Sequence, residues 1–186
     1  DLEQSEILSP KETLLGVVSV LRLQIGELDK GLSVLRGLNN DQLEERADFY
    51  AFLEEAEEFL LAVELGAETG DVKLLAEELQ NRRDEILDPR SEQIINFILV
   101  FQTKAILRTA DIRYLKIRSD IARLEDLEIL TGPKAQNLLK EALLLLTGAR
   151  ELVEKAEANY YDAEAQGADV RKLVNGAILK IKLAYK

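Results

Sequence analysis

Glu54, Glu57 and Glu58 would lie on adjacent turns of one face if the segment around them is helical. They stand in an acid-rich stretch, Asp41 to Asp71, with eleven carboxylates and a single base, Arg46. Carboxylates grouped in this way could hold a divalent cation or meet a basic partner. Di-iron and di-manganese bundles, however, combine Glu with His three residues on, and this chain has no His. The spacing also lacks the Gly-centred oxygen cage of a calcium loop. A solvated acidic face accounts for the trio without a ligand. No metal, cofactor or catalytic residue is therefore assigned, and a metal-binding or enzymatic bundle using this Glu-rich face is the alternative.

Between residues 104 and 123 the bias reverses: Lys104, Arg108, Arg113, Lys116, Arg118 and Arg123 face only Asp111 and Asp120. A nucleic-acid stripe needs interleaved aromatic rings and a basic domain, and Tyr114 alone does not supply them. The whole chain carries a net charge of −11, which repels phosphate backbones. Nucleic acid is excluded on these grounds. Pairing of the basic stripe, with Arg108, Arg113 and Lys116 as its candidate contacts, with the acidic helix is the simpler expectation, within one chain or between copies. Tyr160 and Tyr161 are a third candidate. Neighbours on a helix diverge by about 100°, so one ring packs and the other faces outward, where it could stack on a sugar or aromatic ligand. There is no Cys, no Gly-rich phosphate loop and no Gly-x-Ser-x-Gly elbow, and the chain is read as non-enzymatic.

The elements that would position these groups are helices. Of 186 residues, 47% are hydrophobic and 32% charged, with only 3 Pro, so long uninterrupted elements in one domain are expected. Ser9-Pro10-Lys11-Glu12 reads as a capping box. Behind it Leu14, Val18, Leu21, Ile25, Leu28, Leu32 and Leu35 step by four and three, predicting a first helix over 10–38. Asp41 and Glu44 would cap a second, seamed by Phe49, Leu53, Ala56, Leu60 and Val63 and ending at Gly66. A third carries Val72, Leu75, Leu79 and Ile86, and Asp88-Pro89 stops it and opens the fourth. The fourth has no breaker before Leu130 and carries two apolar seams. One holds Ile94, Ile98, Phe101, Ala105, Ile112 and Leu115; the other holds Leu107, Ala110, Tyr114, Ile117, Ile121 and Leu124. This predicts the longest and most enclosed helix. Thr131-Gly132-Pro133 precedes a fifth helix rich in small Ala positions, and Gly167-Ala168-Asp169 turns into a sixth. No segment alternates with period two. The fold class is all-α, an antiparallel bundle of about six helices.

Two stretches share a turn: AEEFLLAVELGAETGDVKLL from Ala56 and AEANYYDAEAQGADVRKLV from Ala156. In both, Gly would supply a left-handed C-cap, Asp would cap the next helix and Val would start its seam. Either a single domain over 1–186 contains a duplicated three-helix unit, 10–88 and 89–186, or two hairpins arrived independently at the same turn chemistry.

The run FQTKAILRTADIRYLKIRSDIARLEDLEILTG, Phe101 to Gly132, resembles the helices of TolC-type outer-membrane efflux proteins, and Ala156 to Tyr185 resembles their hairpin tips. The resemblance covers about half the chain and implies envelope-type helical hairpins. Members of that family have much longer helices and add β-strands to a membrane barrel; no such strand is legible here, so channel activity and functional residues are not carried over. The chain opens Asp1-Leu2-Glu3 without Met, as removal of a secretory signal or of a tag would leave it. The longest apolar runs, Phe97 to Phe101 and Ala142 to Leu146, fall far short of the ~20 residues a span needs. Together these readings predict a helical interaction or structural protein of the cell envelope or exported space, periplasmic or extracellular, with the cytoplasm also open. Its partner would be a protein or a second copy. Residues 41–71 sum to −10 and residues 104–123 to +4, so unlike patches could meet head to tail in a ring or filament or neutralise each other within the monomer.

Overall fold

The computed structural model describes residues 8–127, 133–162 and 167–186, with the side chains of all of these except 167 and 168. The fold is all-α: α1 (Pro10–Ser33), α2 (Asn40–Thr69), α3 (Val72–Arg82), a π-helical turn (Arg83–Leu87), α4 (Asp88–Asp126), α5 (Pro133–Tyr161) and α6 (Gly167–Leu183), with no strand among the described residues. By internal packing the chain divides into two compact units, Asp1–Ile95 and Asn96–Lys186, the division falling within α4.

In the first unit α1 and α2 run antiparallel, since Lys11 meets Glu68 while Arg22 meets Glu64 and Glu57. Their core joins Leu14, Val18 and Leu21 of α1 to Ala56, Leu60, Val63 and Ala67 of α2, with Leu79 and Leu87 closing one side. The Ser9–Glu12 capping box forms as expected, with Glu12 accepting from the Ser9 amide at 2.7 Å. That hydrogen bond holds the Glu12 carboxyl below its ordinary pKa.

Several boundaries differ from the expectation. α1 ends at Ser33, not 38, because the chain turns at Gly37, whose φ of 72° suits a residue without a Cβ. Arg36 donates to the Ser33 and Leu35 carbonyls that the lost turns leave over. Leu35 nevertheless stays buried beyond the helix end. The second cap is Asn39 with Gln42, in reciprocal bonds of 2.9 and 3.1 Å, instead of Asp41 with Glu44.

The Gly turn also has a different construction. Gly66 lies inside α2, where an added Cβ would come within 3.2 Å of the Leu75 side chain, which would have to give by a few tenths of an ångström. Gly70 is the C-cap, in extended rather than left-handed backbone, and its amide closes on the Gly66 carbonyl at 2.7 Å. Asp71 does cap α3, accepting from Lys73 and Leu74. At the second turn, Gly167 and Asp169 are already inside the first turn of α6, so the two turns are not built alike. Residues 163–166, like the Thr131-Gly132 part of the other break, lie outside the described residues.

Asp88-Pro89 does not separate two helices. α3, the π turn and α4 run on without interruption, giving five continuous helical stretches among the described residues instead of six. Pro89 has no N–H to donate, and in a regular helix its ring would press on the carbonyl four residues back. The wider turn takes up this conflict: the Asp88 amide bonds to the Arg83 carbonyl, five residues back, while residues 84 and 85 are exposed to water. The turn inserts one residue into the helical register, so Leu87, not Ile86, continues the seam from Leu79; Leu87 is buried and Ile86 is 43% exposed.

In the second unit α4 and α5 are antiparallel, as the pairs Lys104–Glu157, Asp111–Arg150 and Glu125–Gln136 show. Leu107, Ala110 and Tyr114 of α4 pack with Leu146, Ala149 and Val153 of α5 and Ala177 and Ile181 of α6. Ala149 and Ala177 are fully buried, the close approach that small residues allow.

Candidate interaction faces

Glu57 turns toward α1, where its Oε1 lies 2.9 Å from Arg22 Nε, a charge contact off the hydrogen-bond axis. Arg22 Nη1 donates to Glu64 at 2.7 Å, and this bond pushes the guanidinium pKa further up. Glu54 and Glu58 point away from α1 and are exposed. Among the described residues, no group of three or more carboxylates is placed to hold a metal ion.

Within each unit, charged groups of α2 and α4 form ion pairs with neighbouring helices. Glu57, Glu64 and Glu68 of α2 pair with Arg22 and Lys11 of α1, and Lys104 of α4 bonds both carboxylate oxygens of Glu157 on α5. Every exposed pair of this kind contributes only ~0–1 kcal/mol, so these contacts set alignment more than stability.

α4 is less enclosed than its two seams imply. The seam that begins at Leu107, Ala110 and Tyr114 is buried over those residues but opens at Ile117 and Leu124. The other is buried at Ile94, Ile98 and Phe101, but from Ala105 onward it opens to solvent, with Ile112 61% and Leu115 54% exposed. Arg108 and Lys116 share this open face. Arg113 instead lines an open groove of about 550 Å³ with Ile106, Thr109, Ile181, Lys182 and Tyr185. There the Tyr185 hydroxyl donates to the Ala110 carbonyl at 2.6 Å. Burial, with a smaller contribution from Asp111, pushes the Tyr185 pKa above its ordinary value against the opposing pull of Arg113.

Tyr160 is half-buried, its ring 5.8 Å from that of Phe97, while Tyr161 is exposed and meets Tyr160 edge-on at 4.9 Å. The Glu trio belongs to the first unit, and the basic and Tyr residues belong to the second.

Sequence reasoning missed a second seam on α2. Leu43, Ala47, Glu54, Glu58, Leu61 and Leu65 recur at helical spacing on the side away from the core, and all are exposed. The signal was present as Leu residues offset from the core stripe, hidden by the acids between them. No family model matches the chain, and neither curated proteins nor solved structures give a significant match.

Proposed function

We propose that this chain is a non-enzymatic helical interaction or structural protein of the cell envelope or exported space, and that it works by associating with further copies of itself. The observation that carries this reading is the open face of α4. Ile112 and Leu115, two large apolar side chains more than half exposed, sit between Arg108 and Lys116 on a helix whose opposite side is already packed. Apolar surface rimmed by charge is the pattern of a protein-binding face. Among the described residues, no helix is long and apolar enough to cross a membrane. The likeness of Phe101–Gly132 to TolC-type helices adds the envelope setting.

Light scattering across a dilution series, in low and high salt, tests the reading. The average mass should rise with protein concentration and fall when salt screens the charged rim, whose range is roughly 8–10 Å near physiological ionic strength. A monomer mass at every concentration and in both salts would remove it.

A further inference from the structure

The open face of α4 has a counterpart on the same chain. The outward seam of α2 carries Leu61 and Leu65, 47% and 64% exposed, at one end and Leu43 at the other, with Glu54 and Glu58 between them. The α4 face has the inverse arrangement, Ile112 and Leu115 in the middle and Arg108 and Lys116 beside them. None of the ion pairs formed among the described residues uses Glu54, Glu58, Arg108 or Lys116. At 1.5 Å per residue, the α2 seam from 43 to 65 extends about 33 Å and the α4 face from 105 to 123 about 27 Å, so the two faces are of comparable length.

We infer that the outward seam of α2 in one copy docks on the open α4 face of the next, a head-to-tail contact between copies. This rests on the self-association proposed above and names the surfaces that perform it. Charge decides between the possible pairings. Two α4 faces brought together would set Arg108 and Lys116 against like charges, and two α2 seams would oppose Glu54 and Glu58. Both symmetric pairings are penalised, whereas α2 on α4, offset so that Leu61 and Leu65 lie over Ile112 and Leu115, brings Glu58 beside a cation and sets no like charges together. A contact between two different surfaces leaves one of each open after the first pairing, so it either closes reciprocally as a twofold pair or propagates into a ring or a filament.

The test compares three versions of the full chain by sedimentation at matched concentration, with circular dichroism to confirm that each is folded; all four positions are exposed, so the core is untouched. Arg108→Glu with Lys116→Glu should weaken association at least ~100-fold, because docking now opposes like charges. Adding Glu54→Lys and Glu58→Lys to that variant should restore assembly to within about tenfold of the parent chain. If the parent assembles and the fourfold variant stays monomeric, this contact is wrong while self-association stands. A parent that is monomeric throughout overturns both.

Discussion

Arg22 of α1 holds Glu64 of α2 at 2.7 Å, and through the same guanidinium it reaches Glu57 two helical turns earlier. One base thereby sets the lengthwise alignment of the α1–α2 hairpin. Replacing Arg22 with Met keeps an aliphatic stem and removes the charge. The change should cost about 1 kcal/mol in urea unfolding, and the loss should shrink in high salt. A loss unchanged by salt would assign the effect to packing of the stem.

The π turn at Arg83–Leu87 is an inserted residue that accommodates Pro89. Deleting Ile86 together with Pro89→Ala should let the helix close into regular α geometry with Leu79 and Leu87 still on one face. The cost should be under ~2 kcal/mol, within the range of an ordinary substitution. Deleting the buried Thr103 from uninterrupted α4 should instead rotate everything beyond it by about 100° and abolish cooperative unfolding of the second unit. Thermal melts followed by circular dichroism compare the two deletions; equal losses would contradict the insertion account.

These elements also show what could be read from the residues alone. The core stripes were legible, since Leu14, Val18 and Leu21, and Phe49, Leu53 and Leu60, repeat at spacings only a helix places on one side. The continuous run through Pro89 was not, because a Pro in a first turn and a Pro beside a π turn leave the same mark in sequence. Gly66 was misread for a similar reason: a Gly for close approach and a Gly for a C-cap look alike until Leu75 is seen against it. The open α4 face was visible as a second seam, but periodicity does not say whether a neighbour covers it.

Tyr185 couples the segment after α6 to α4 through the Ala110 carbonyl. Its pKa is raised in the folded protein, so folding favours the neutral phenol. That contribution is fully present below the unfolded pKa of about 10 and is lost as pH rises through the higher folded value. Tyr185→Phe should therefore lose about 1 kcal/mol at pH 7. The gap from the parent should narrow at strongly alkaline pH, measured as urea midpoints at both. A gap that persists unchanged would contradict the hydrogen-bond account.

Glu57 is engaged by Arg22, which leaves the Glu trio without a convergent set of oxygens. Millimolar magnesium, calcium or zinc should leave the melting temperature within about 1 °C. A ligand present at 100 times its Kd and bound only to the folded state would add about 2.7 kcal/mol, a shift of several degrees. A rise of that size would favour a metal-binding role for α2.

The open face of α4 as the working surface is tested most directly at Ile112. The chain has no cysteine, so Ile112→Cys gives a single thiol to follow by its alkylation rate. A control, Leu74→Cys, places the thiol at an exposed position of α3 in the first unit. As protein concentration rises through the association range, alkylation at 112 should slow at least severalfold while the control rate stays constant, as expected when a partner covers one face. A rate at 112 that is the same at every concentration would contradict the account.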